Sequence, residues 1–131
     1  MTKCFNEFQI TDEKNQTTPE AVKKLLSQSY WAADRALKTI KKSIENSLCI
    51  SVFLDDELVG FVRVVTDHAT FAWIADLIIH ETHRGNGLGK RLMKMIGDHP
   101  DIPSSIQILA TRDAHGLYEK YGFKKWEGMR K

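Results

Sequence analysis

Apolar residues along this chain follow two different periods, and the places where one gives way to the other divide it into elements. Phe5 to Ile10 alternates weakly and predicts a first strand, after which Thr11 to Gln16 is polar loop. Thr18-Pro19-Glu20 announces a helix: Thr18 can cap it, Pro19 suits its first turn, and Glu20 complements the dipole. Val22, Leu25 and Leu26 give that helix a buried stripe. A second helix is expected with Asp34 as its cap, because Leu37, Ile40 and Ile44 recur at spacings of three and four. Tyr30-Trp31 falls at the junction of the two. From Leu48 the period changes: Leu48 to Leu54 reads as a strand, Asp55-Asp56-Glu57 as a turn and Leu58 to Thr66 as the antiparallel partner. Asp67-His68-Ala69 turns again into Thr70 to Ile79. Leu88, Leu92, Met93 and Ile96 form the apolar face of a helix that Gly97 and Pro100 should end. Ser105 to Ala110 predicts a strand, Asp113 to Tyr121 a helix, and Phe123 to Met129 a final strand.

That order predicts an α+β domain in which helices flank a mixed, mostly antiparallel sheet. At 131 residues and 15.0 kDa, residues 1–131 are expected to form a single domain around one core. The charge is close to balanced, with 19 Lys and Arg against 17 Asp and Glu, so no nucleic-acid partner is expected. Cys4 and Cys49 match no zinc spacing, and with no export signal at the start they suggest a reducing, cytoplasmic setting. No stretch approaches the roughly 18 apolar residues of a membrane span.

Composition is thus uninformative about chemistry until one asks where the cations cluster. Arg84-Gly85-Asn86-Gly87-Leu88-Gly89-Lys90-Arg91 places three glycines and three cations between an apolar strand and an amphipathic helix. Without a Cβ the backbone can approach a ligand and adopt positive φ, and successive N–H groups can converge on anionic oxygens where the helix dipole already favours them. The spacing decides which anion site this is. A Walker A loop fails, because Arg84 stands at its first glycine position and Arg91 follows Gly89-Lys90. A dinucleotide fingerprint starting at Gly85 and Gly87 fails too, because position 90 is lysine.

What remains, Arg-x-x-Gly-x-Gly after an apolar strand, resembles the pyrophosphate-binding motif of the GNAT acetyltransferase superfamily. A second stretch, Thr111-Arg112-Asp113-Ala114-His115-Gly116-Leu117-Tyr118-Glu119-Lys120-Tyr121-Gly122-Phe123, resembles that superfamily's other signature, and it lies downstream where the family places it. The resemblance implies the GNAT fold and an acetyl-CoA-dependent N-acetyltransferase that moves an acetyl group to a primary amine by direct attack in a ternary complex. It implies that the Thr70–Ile79 strand splays from the Ser105–Ala110 strand, and that pantetheine fills the gap. Main-chain groups of Ile78 and Ile79 would pair with pantetheine, Arg84 to Arg91 would hold the pyrophosphate, and Thr111 and Tyr118 would also meet coenzyme A. No metal is called for. The implied partner is a small-molecule or peptide amine, with no membrane involved and a homodimer plausible at an unfilled sheet edge.

Acetyl transfer needs an uncharged amine, and a lysine-like amine of pKa about 10.4 costs roughly 4.6 kcal/mol to deprotonate at pH 7. A base, a water chain or a desolvated site has to contribute. Asp76, an acid inside an apolar strand, reads either as a candidate base or as a carboxylate that pins the strand or a neighbouring loop. The departing sulfur needs a proton, and by the resemblance Tyr118 is the general acid; its alternative is to pack and hydrogen-bond. Tyr30, Trp31 and Arg63 are candidates for the acceptor pocket, and an Arg63–Asp67 surface ion pair is an equal reading of Arg63. His80-Glu81-Thr82-His83 falls one residue short of a zinc motif and reads as turn. Thr111 replaces an asparagine common in the family, Glu81 stands where proline is frequent, and little chain follows for a last strand. These departures leave a second reading open, a catalytically silent module that senses acyl-CoA.

Overall fold

Six strands lie side by side in sequence order in one sheet; the structure is a computed structural model that describes residues 1–131. Strands β1 (Thr2–Phe5) and β2 (Phe8–Thr11) form a hairpin where one strand over Phe5 to Ile10 was expected. The reason is Asn6, which sits at φ 53° in the two-residue turn. Asparagine tolerates the left-handed region, so a turn is hidden inside weak alternation.

Helix α1 (Pro19–Leu26) starts as expected, with the Thr18 hydroxyl accepting the Ala21 N–H at 3.1 Å. Helix α2 (Leu37–Glu45) starts later than Asp34 would allow, after Ala36 and without a side-chain cap. Arg35 is held outside the helix from both ends: its carbonyl accepts Lys23 Nζ at 2.7 Å, and its guanidinium reaches Asp76.

The meander is β3 (Leu48–Leu54), β4 (Glu57–Thr66) and β5 (Ala72–Ile79), all antiparallel. Asp55 and Asp56 join the first two with φ of 48° and 68°, the mirror-image turn that suits the strand twist. At the second turn the Asp67 carboxylate accepts the Thr70 hydroxyl and the N–H groups of Ala69, Thr70 and Phe71. These bonds, the Thr70 hydroxyl foremost, hold its carboxyl well below the usual range.

Helix α3 (Leu88–Asp98) then crosses to β6 (Gln107–Leu109), which runs parallel to β5, and α4 (His115–Glu119) follows. Gly97 lies within α3, which ends just before His99 and Pro100. The expected strand Phe123–Met129 does not form. Lys124, Lys125 and Glu127 leave that segment no continuous apolar face, and β6 pairs over three residues only, which gives a further strand little to build on. Trp126 is 73 % exposed as a result.

Helices cover both faces of the sheet. Leu88, Leu92, Met93 and Ile96 of α3 pack with Ile50, Val52, Val62, Val64 and Ile74 on one face. Val22, Leu25, Leu26, Ile40 and Ile44 of α1 and α2 pack with Cys49, Leu58, Phe61 and Ile78 on the other. No helix is long and apolar enough to cross a membrane.

Candidate active site

Strands β5 and β6 pair only from Ala72–Gln107 to Ile74–Leu109, and beyond Ile74 they part. A cleft of about 530 Å³ opens there, bounded by Trp73 to Leu77 on one side, Leu109 to Ala114 on the other, and by Tyr30, Trp31 and Tyr118.

A bulge in β5 decides what that cleft contains. Phe61 pairs with Ile78 but Arg63 with Ala75, so β5 holds one extra residue across from Val62. Ala72 and Ile74 face α3, whereas Ile78 faces α1 and α2. The phase of the strand therefore flips at the bulge. Asp76 sits at φ 57° within it, and its side chain is turned onto the α1 and α2 side. There it accepts Trp31 Nε1 at 2.9 Å, Arg35 Nη1 at 2.7 Å and Arg63 Nε at 3.0 Å, with its side chain only 3 % exposed. Burial pushes its carboxyl up, but the hydrogen bonds and charges of Arg35 and Arg63 outweigh that and hold it below its ordinary value. A carboxylate so engaged is a poor proton acceptor. Its geometry is that of a clamp that fixes the junction between the helices, the second of the two readings above.

Asp76→Asn is expected to lower stability by about 2 kcal/mol at pH 7, the worth of charged hydrogen bonds. A carboxyl depressed by folding stabilises above its unfolded pKa of about 3.9 and loses that contribution as pH falls through the folded value. Urea unfolding should therefore show the gap between wild type and variant narrowing below about pH 4; a gap unchanged with pH would contradict the clamp.

Arg63 also donates to Ser47 Oγ at 3.3 Å, so its partners are Asp76 and Ser47 and the Arg63–Asp67 pair does not occur. Tyr30 and Trp31 meet edge to face at 5.0 Å, both substantially exposed at the cleft. Arg112 lies over the Tyr30 ring at 3.7 Å from its centre.

The glycine loop forms the other half of the site. Gly85 and Gly87 adopt φ of 85° and 78°, and Gly87 is the residue from which α3 starts. A Cβ at Gly85 would meet nothing within 4 Å, and at Gly87 only Phe5 Cζ at 4.0 Å, so open space lies above both. The N–H groups of Leu88, Gly89 and Lys90 have no main-chain acceptor, as expected for a first helical turn. Leu88 anchors the loop by burying its side chain, and Asn86 Nδ2 donates to the His83 carbonyl at 3.0 Å. Arg84 Nε donates to the Ile79 carbonyl at 3.0 Å, and Arg91 lies 4.2 Å over the Phe5 ring. None of Arg84, Lys90 and Arg91 is ion-paired. Free donors, a helix start and unneutralised cations together fit a pyrophosphate.

The end of β5 connects the two halves. His80 N–H donates to the Val59 carbonyl at 2.7 Å, which makes Gly60–Ile79 the pair whose polar groups point away from each other. The N–H and carbonyl of Ile79 thus face the open edge, while Ile78 turns its main chain to β4 and its side chain into the core. Of the two residues expected to offer main-chain groups, Ile79 is placed to do so.

Tyr118 reaches the cleft from α4 and packs edge to face with Phe123 at 6.0 Å. Its hydroxyl makes no hydrogen bond within the protein, and burial, with Tyr30 and Asp113 nearby, pushes its pKa up. It stays protonated at neutral pH. The Thr111 hydroxyl accepts the Ala114 N–H at 3.0 Å and so shapes the turn into α4. Tyr121 donates its hydroxyl to the Lys90 carbonyl at 3.0 Å, which ties the turn after α4 to the first turn of α3. The one buried thiol, Cys49, lies in the α1 and α2 core with its pKa pushed up to about 11 by burial, which suits packing and not nucleophilic attack.

Two arginines of the cleft were not singled out from the sequence: Arg112 lies inside the second motif, and Arg35 has no local signature. An acid in an apolar strand does imply a cationic partner, but 41 residues separate Asp76 from Arg35 and nothing in the sequence names it.

Comparison with known proteins places these features in context. The model of the acetyltransferase (GNAT) domain matches residues 45–125, which include both the glycine loop and Tyr118. A relative in Pyropia yezoensis named uncharacterized N-acetyltransferase ycf52 is 30 % identical over 92 % of this chain and 72 % of its own length. A Xanthomonas campestris crystal structure assigned to the GNAT family superposes with a TM-score of 0.86 at 36 % identity, covering 93 % of this chain and 87 % of that one. An aminoglycoside 6'-N-acetyltransferase solved with coenzyme A shares the fold at a TM-score of 0.57 and 18 % identity, over 66 % of this chain and 52 % of that one.

Proposed function

Since the chain belongs to the GNAT family of acetyltransferases, we propose that it is an acetyl-CoA-dependent N-acetyltransferase acting on a primary amine by direct attack. The observation that carries this reading is the glycine cradle opening beside the free edge of β5, so that one ligand can occupy both. Acetyl-CoA supplies an activated acetyl thioester. The N–H groups of Leu88, Gly89 and Lys90, with Arg84, Lys90 and Arg91, hold its pyrophosphate, and the main chain of Ile79 receives the pantetheine arm. An N–H at that edge polarises the thioester carbonyl. Tyr118, protonated and without a partner, donates a proton to the departing sulfur. Holding amine and thioester in one cleft contributes most of the rate.

Calorimetric titration of acetyl-CoA and CoA, followed by thiol release across a panel of primary amines, tests this directly. Saturable binding with amine-dependent release is expected, and absence of binding would overturn the reading. The engaged Thr111 hydroxyl favours, as a second reading, a silent acyl-CoA sensor, which binding without release for any amine would establish. We place the reaction in the cytoplasm, and the unpartnered outer edge of β6 supports a homodimer.

A further inference from the structure

The cleft that would receive the amine is itself cationic. Arg35, Arg63, Arg112 and Arg130 line it against only Asp76 and Asp113, a formal excess of two positive charges. Asp76 is shared between Arg35 and Arg63, so that cluster keeps a net positive charge. Asp113 stands 3.8 Å from Arg112 with both side chains about two-thirds exposed, a contact that water screens. Arg112 is also preorganised: its guanidinium is laid on the Tyr30 ring, which leaves its in-plane N–H groups free for a planar or tetrahedral oxyanion.

We propose that the acceptor is an amine that carries its own oxyanion, a carboxylate or a phosphate, bound by Arg112 and the exposed part of Arg35. The inference deepens the acetyltransferase reading and rests on it for the identity of the site. An acceptor with a nearby anion matches the excess charge, whereas a polycationic amine meets like charge throughout the cleft.

Matched acceptors test the charge when rates are expressed per uncharged amine: phosphoethanolamine against ethanolamine, glycine and glutamate against their methyl esters, and spermidine as a polycation. Thiol release from acetyl-CoA should show kcat/KM at least about tenfold higher for the anionic member of one pair. Phosphate and carboxylate pairs separate the two sources. Arg112→Gln should shrink that ratio to within about twofold by raising KM for the anionic acceptor while kcat is largely kept. Equal use of both members of every pair, or preference for spermidine, would overturn the proposal. Should no acceptor release thiol, calorimetric titration of the same pairs in the presence of CoA reads the preference directly. Tighter binding of the anionic member that Arg112→Gln removes supports it, and no difference overturns it. Failure of acetyl-CoA to bind would instead strike the acetyltransferase reading.

Discussion

Gly87→Asp should bind acetyl-CoA and CoA at least about 100-fold more weakly than wild type while remaining folded. Gly87 stands at φ 78° where α3 begins, with open space where a side chain would project. Aspartate tolerates the left-handed region better than most residues, at a cost of about 1 kcal/mol. A negative charge at the start of a helix complements its dipole, which offsets part of that cost. The same charge faces the bound pyrophosphate, and two like unit charges about 4 Å apart repel by about 4 kcal/mol at an effective dielectric of about 20. Calorimetry on the variant, with a melting curve as control, separates the two effects. Unchanged affinity in a folded variant would remove the cradle from the site.

Tyr118→Phe should lower kcat by about 100-fold and leave acetyl-CoA affinity within about twofold. The substitution keeps the ring and its edge contact with Phe123, so little packing is lost. What disappears is a hydroxyl with no protein partner, whose pKa burial has raised and which is therefore held as a donor across the neutral range. Loss in kcat without loss in binding is the signature of an interaction made in the transition state. A fall of less than about threefold would mean that Tyr118 only packs.

Both halves of this site were legible in the sequence to different degrees. The glycine loop is a local object: backbone freedom, helix start and cations all come from eight consecutive residues, and the structure assembles them as their order implies. Tyr118 is likewise carried by contiguous residues, those of the second motif. The strands from Leu48 to Ile79 were legible because their turn residues are explicit, as with Asp55-Asp56.

The acceptor side was less so, because it depends on register. Asp76 reads as an acid in a strand, and only the bulge opposite Val62 shows which face it takes and which cations it meets. Arg35 lies between two helices, where neither period applies, so the late start of α2 was missed along with the part of Arg35 in the clamp. Ile78 and Ile79 look equivalent in sequence, and hydrogen-bond phase alone sets them apart. Phe123–Met129 holds only scattered apolar residues, Phe123, Trp126 and Met129, and a strand also needs a neighbour, which β6 with its three paired residues hardly provides.

Because α3 and the paired helices α1 and α2 bury their apolar residues on opposite faces of the sheet, the chain has two cores that share strands but few side chains. The glycine loop, proposed to hold the pyrophosphate, rises from the first core; Tyr30, Trp31 and Arg35 hang from the second. On the proposed reading, sequence drift in α1 and α2 can therefore reshape the acceptor side without disturbing the acyl-donor side. Such a division makes this chain a favourable starting point for laboratory evolution of new acceptors.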